Sequence, residues 1–100
     1  MRVVYGRRAE IDIAGIFEYI SQQDPVTALA VESAIREACD NLGQFPYANM
    51  ATDLAHVYRM PIPKRGFTVF YRVRAAKSLV EIVRVVRSTS VKNLGRVPRG

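Results

Sequence analysis

Two runs in the last third of the chain, residues 67–74 and 79–87, are rich in β-branched and aromatic residues and read as strands. The break between them, Ala75-Ala76-Lys77-Ser78, is too short for a crossover, so the two strands are antiparallel neighbours. A lone strand pair is marginal in water, and the rest of the chain must supply more strands and a cover for one face. Alternation sorts the side chains. Phe67, Val69, Tyr71 and Val73 form an apolar set suited to the core, and Thr68, Phe70, Arg72 and Arg74 point the other way. In the second run the same rule sends Leu79, Val83 and Val85 inward, lets Glu81 escape near the turn, and turns Val80, Ile82, Arg84 and Val86 outward.

The cover comes from two helices. Between Ala9 and Ser21, Ile13, Ile16, Phe17 and Ile20 make a stripe with a period near 3.6, and Glu10 and Asp12 lie where the helix dipole favours negative charge. Asp24-Pro25 is a start signal, Asp as N-cap and Pro in the first helical position. The second helix then runs through Ala28, Val31, Ile35, Ala38, Leu42 and Phe45 and stops at Pro46. So short a connection folds the pair back as an antiparallel hairpin.

Residues 2–5 form a short strand ending at Gly6, residues 46–56 a loop, and Val57–Met60 a brief strand closed by Pro61 and Pro63. The order is β-α-α-β-β-β: an α+β domain with a helical hairpin on one face of a small, mainly antiparallel sheet. Residues 1–87 make one domain, and 88–100 a basic tail that is partly or wholly mobile in isolation.

Composition narrows the function. No apolar run approaches the roughly 20 residues that span a bilayer, and the N-terminus lacks the apolar stretch of a secretory signal. Cys39 has no partner for a disulfide, which fits a cytoplasmic protein. The net charge of +6 suits nucleic acid or an acidic protein partner. No Cys/His cluster has metal-ligand spacing and no glycine-rich loop cradles phosphate, so neither a metal nor a cofactor is expected. The lone His56 reads as a loop residue, Cys39 as small packing in the second helix, and Tyr47 and Tyr58 as neighbours of the helices.

In order along the chain stand Ala9, Asp12, Ile13, Ile16, Tyr19 and Ile20 in the first helix, Pro25 and Ala28 opening the second, and Leu42 with Phe45-Pro46 closing it. Arg59, the block Phe70-Tyr71-Arg72-Val73 and the block Ile82-Val83-Arg84-Val85 follow. Over residues 3 to 87 this pattern resembles the ParE/RelE superfamily of toxins from bacterial type II toxin–antitoxin systems, and is closer to ParE than to RelE. The resemblance implies a growth-inhibiting toxin, a ParD-like antitoxin forming a hetero-oligomer with it, and DNA gyrase as target. Its alternatives are a RelE-like ribosome-dependent mRNA endoribonuclease and a degenerate member that only binds antitoxin.

RelE-like toxins use basic residues on the middle strands and an arginine and a tyrosine after the last strand. Here Arg59 keeps a basic position, while Pro61, Thr68, Ser88 and Leu94 stand at or near the other four. No catalytic residue is assigned on that basis. ParE-like toxins often end the last strand with a histidine and then an arginine, where this chain has Arg87 and Ser90. The outward face is expected to hold Arg59, Phe70, Arg72, Ile82 and Arg84, an apolar surface rimmed by cations, and these with Arg87 are the residues expected to bind an acidic, amphipathic antitoxin or the target. The alternative is that the arginines pair with carboxylates at the sheet edge.

Overall fold

The computed structural model describes residues 1–91 and 96–98. The elements are β1 (Arg2–Tyr5), α1 (Arg7–Ser21), α2 (Pro25–Asn41), β2 (Met50–Ala51), β3 (Val57–Ile62), β4 (Phe67–Arg74) and β5 (Leu79–Arg87). They form the expected α+β fold with a five-stranded sheet in the order β1-β5-β4-β3-β2. Only the β1–β5 pair is parallel, Val3 facing Val80 and Tyr5 facing Ile82. β2 lies within the expected loop and pairs with Tyr58 and Arg59. β3 continues through Pro61 to Ile62, because β2 stops short and leaves an edge where the missing N–H costs no ladder bond.

Asp24 caps α2 as its sequence predicts, its carboxylate accepting from the Thr27 backbone N–H at 3.1 Å and the Thr27 hydroxyl at 2.6 Å. The helix ends at Asn41 rather than running to Pro46. Gly43 follows, and its lack of a side chain lets the Met1 carbonyl approach where a β-carbon would collide with it. With the helix ended, Phe45 leaves the expected seam and is 63% exposed.

The main core lies between the hairpin and the sheet. Ile13, Val31, Ile35 and Leu42 meet Phe67, Val69, Tyr71 and Val73, so the face assigned to β4 is the observed one. In β5 the assignment is half wrong. Phe70 pairs with Arg84 but Tyr71 pairs with Ile82, so Val83 is a bulge. An extra residue reverses the alternation across it. Val80 and Ile82 before the bulge are buried in the core, not outward, and so is Val85 after it, whereas Leu79 and Val83 are only half-buried.

The far face of the sheet is also covered. Val57, Phe70 and Val97 form a second small core with Leu54, Val86 and Val91 against it. Val97 of the expected tail is thus docked, its N–H donating to Asp53 Oδ1 at 3.0 Å. Residues 92–95 and 99–100 of that tail, Leu94 among them, lie outside the described residues.

Candidate partner-binding site

β1 ends at Tyr5, opposite Ile82, so the rest of β5 has no strand on that side. α1 supplies what the missing strand would. Asp12 Oδ2 accepts from the Val85 N–H at 2.9 Å and from Arg84 Nε at 2.7 Å, and Asp12 Oδ1 accepts from Arg84 Nη2 at 3.3 Å. Both side chains are largely buried, at 9% and 12% exposure. Arg84 also reaches the Pro98 carbonyl at 3.4 Å. Its charge is spent inside the fold, as in the alternative of a carboxylate partner at the sheet edge.

Past this pair, α1 and β5 enclose a groove of about 460 Å³. Ile11, Ile16 and Tyr19 line it from α1, and Val86 and Arg87 from β5. Ile11 is 54% and Tyr19 63% exposed, large apolar surfaces that the fold leaves uncovered. The Arg87 guanidinium lies 5.5 Å from the Tyr19 ring centre and 5.4 Å from that of Phe67, a cation held over two aromatic faces. An apolar floor under a cationic lip is suited to an amphipathic segment carrying a carboxylate.

The remaining predicted site residues separate. Arg59 and Arg72 share the far face, Arg59 opposite Phe70 and Arg72 opposite Val57. Arg59 Nη2 contacts the Met50 sulfur at 3.2 Å, and its Nε is buried without a hydrogen-bond partner among the described residues. A buried orphan donor on a surface arginine is the kind of polar group a partner satisfies. Phe70 points to the predicted face but is fully buried beneath Val97, and Ile82 is fully buried on the opposite face. Neither can touch a partner while the fold is intact. Sequence reasoning did not assign Ile11 and Tyr19 to this surface. Their signal was an apolar pair beside the core stripe of α1, too exposed for the seam.

Thr68 and Ser88, which stand where RelE-like toxins carry arginines, hydrogen-bond to each other at 2.9 Å. Thr68 is buried at 5% exposure. A closed, neutral hydroxyl pair offers neither a proton acceptor of useful pKa nor charge for a phosphate. Tyr71 hydroxyl donates to the Pro46 carbonyl at 2.9 Å and accepts from Asn49 Nδ2 at 3.1 Å, tying the 46–49 segment to β4. Burial raises its pKa, and does the same for Tyr5, so both phenols are fixed as neutral structural groups. No group of carboxylate, histidine and cysteine side chains able to hold a metal occurs among the described residues, and no helix there is long and apolar enough to cross a membrane.

Cys39 is fully buried in the α2 core, and burial pushes its thiol up to about 12, with the Asp40 carboxylate adding to the shift. A disulfide reagent at pH 8 should therefore label the native protein at least about a hundredfold more slowly than the urea-unfolded chain. The sign for stability follows from the same burial. An unfolded thiol ionises near 9.0, so the contribution of Cys39 is intact below that pH and is lost as pH rises toward 12. Cys39→Ala should flatten that part of a stability–pH curve measured by urea titration.

Residues 3–90 match the family model described as ParE toxin of type II toxin–antitoxin system, parDE. No curated protein matches the sequence. Among solved structures, the chromosomal ParDE toxin–antitoxin system from P. aeruginosa superposes with a TM-score of 0.74 at 22% identity, over 87% of this chain and 95% of that one. The isolated E. coli RelE toxin gives 0.63 at 16% identity, over 87% and 83% of the two chains. The toxin–antitoxin complex E. coli RelBE gives 0.62 at 16% identity, over 98% of each. At these identities the superpositions speak for the fold, and the family match over most of the length speaks for descent. The chain belongs to the ParE toxin family of type II toxin–antitoxin systems.

Proposed function

We propose that this ParE-family chain arrests bacterial growth through DNA gyrase in the cytoplasm, without RNA cleavage, and is held inactive by a ParD-like antitoxin. The observation that carries the choice against RNA cleavage is the Thr68–Ser88 pair, neutral and mutually satisfied where cutting chemistry would need cations. The groove between α1 and β5 supports the antitoxin half of the reading. Its apolar floor and the Arg87 lip, in a chain of net charge +6, complement an acidic amphipathic helix or strand. Solved relatives occur as ParDE and RelBE complexes, which makes a hetero-oligomer the natural inactive form.

The test is direct. Purified protein is expected to inhibit gyrase supercoiling, to leave mRNA intact on programmed ribosomes, and to lose its effect when the acidic product of the adjacent reading frame is added. Codon-specific mRNA cleavage would overturn the reading in favour of a RelE-like endoribonuclease. Inactivity in both assays with no growth arrest on expression would leave a degenerate, antitoxin-binding member.

Arg87→Glu is the informative surface variant. The side chain is exposed, so Tm should stay within about 2 °C, while antitoxin affinity drops on the order of tenfold and the loss shrinks at high salt. Arg84 cannot serve the same test, because reversing its charge would put two carboxylates together in a buried position.

A further inference from the structure

A second concavity lies at the other end of the sheet, apart from the α1–β5 groove and sharing no residue with it. It occupies about 640 Å³, within the size range of small-molecule sites. His56, Arg72 and Lys77 line it together with Tyr47 and the small side chains of Ala55 and Ala75. It opens at the Arg74 end of β4, roughly 20 Å along the strand from Thr68 at about 3.3 Å per residue.

Three features make this more than a dent in a basic protein. Basic side chains share its lining: Arg72 is half-buried, and no ion pair joins it, His56 or Lys77 to an acid among the described residues, although Glu81 stands across the ladder from Arg72. Arg74, which also lines the cleft, is taken up by Glu81 at 3.1 Å. No carboxylate is among the described residues that line the cleft, Glu81 standing next to it on Arg74. Second, an aromatic ring shares the lining and is held in place. Tyr47 is 57% exposed, yet it packs edge-on against Tyr58 at 5.8 Å, and Tyr58 stacks on Tyr71 at 5.6 Å. Third, His56, which lines the cleft, is held in backbone that non-glycine residues avoid, with φ 64°. The His56 carbonyl accepts the Val73 N–H at 2.9 Å, which fixes the histidine beside Arg72. Strain locked at the wall of a cavity is a pointer to a site.

We propose that this cleft binds a nucleoside 5′-phosphate, the phosphate held by Arg72, Lys77 and His56 and the base laid on Tyr47. The ligand is either a free nucleotide or the 5′-phosphorylated end of a single strand, which present the same chemistry. The alanine rim leaves room for the sugar between the two, and a site of this kind gives the toxin a regulatory or anchoring contact independent of the α1–β5 groove.

The probes are ADP, ribose 5-phosphate and a 5′-phosphorylated RNA tetramer, titrated into the full chain by calorimetry and by amide chemical shifts. ADP should bind and shift residues 55–57 and 72–78. Lys77→Ala and Arg72→Gln should each weaken ADP at least about tenfold, as expected for loss of a charge-assisted bond. Tyr47→Ala should weaken ADP about tenfold and leave ribose 5-phosphate unchanged, since only the base is stacked. His56→Gly separates site from scaffold, because glycine suits φ 64° and should keep or raise Tm while binding still falls. Preference for the tetramer over ADP assigns the strand end, and the reverse assigns the free nucleotide. No binding of any probe, or binding that all four variants leave unchanged, overturns the proposal. Gyrase inhibition is not a readout here, so failure of this site and failure of the toxin reading remain distinct.

Discussion

Phe70→Ala should cost about 3–5 kcal/mol of unfolding free energy, read as a lower urea midpoint at unchanged m-value. The ring is fully buried between Val57 and Val97, on the face of the sheet opposite the helices. Truncation leaves a cavity that the flanking strands cannot close, because β4 is hydrogen-bonded on both sides along its length. A loss of this size matters against a total stability of about 5–15 kcal/mol for a domain of this kind. Phe70→Leu, which keeps most of the volume, should cost less than about 1.5 kcal/mol. If Phe70 were an exposed contact for the antitoxin, alanine would change stability by under about 0.5 kcal/mol and show its effect only on binding. The two variants together discriminate a core residue from an interface residue, and they do so before any partner is added.

The misplacement of Ile82 and the cover over Phe70 show where reading from sequence stops. The helices were legible because their signals are local: a 3.6-residue stripe in α1, and Asp24-Pro25 at the start of α2, whose cap bond to Thr27 spans three residues. The inward face of β4 was legible for the same reason. β5 was not, since its bulge at Val83 depends on how it registers with β4 and no glycine or proline marks it. Phe45 continued the α2 pattern on paper, but the helix ends at Asn41 and Gly43 meets Met1, a contact across 42 residues. The far face looked open because nothing in an irregular tail says that Val97 returns to Phe70. Of the predicted partner contacts, Arg87 and the pair Arg59 and Arg72 occupy surface positions. Arg84 went to Asp12, 72 residues away, an interaction that no spacing rule reaches. The nucleotide-sized cleft was invisible for a like reason: His56 and Lys77 approach only through the β3–β4 pairing and the turn before β5.

Asp12→Ala should be the other severe substitution, costing about 3–5 kcal/mol, since removing one partner strands a buried guanidinium. The pair sits at low exposure, and the same carboxylate satisfies the Val85 N–H, so alanine removes an ion pair and a backbone bond at once. Asp12→Asn separates the two. Its amide oxygen can still accept from Val85 or from Arg84, but carries no charge, so the expected loss is smaller, about 1–3 kcal/mol. Arg84→Met relieves the stranded charge. In the Asp12→Ala background it should recover part of the stability, and the coupling in that double-mutant cycle should reach about 1–3 kcal/mol. Additive behaviour within about 0.5 kcal/mol would mean that the two side chains do not depend on each other and that α1 is held to β5 by apolar packing alone. The distinction bears on function, because Asp12 and Arg84 also line the groove. If the pair is the clasp that fixes α1 along the open edge of β5, Asp12→Asn should weaken antitoxin binding though neither residue is exposed, and Arg87→Glu should weaken it with the clasp intact.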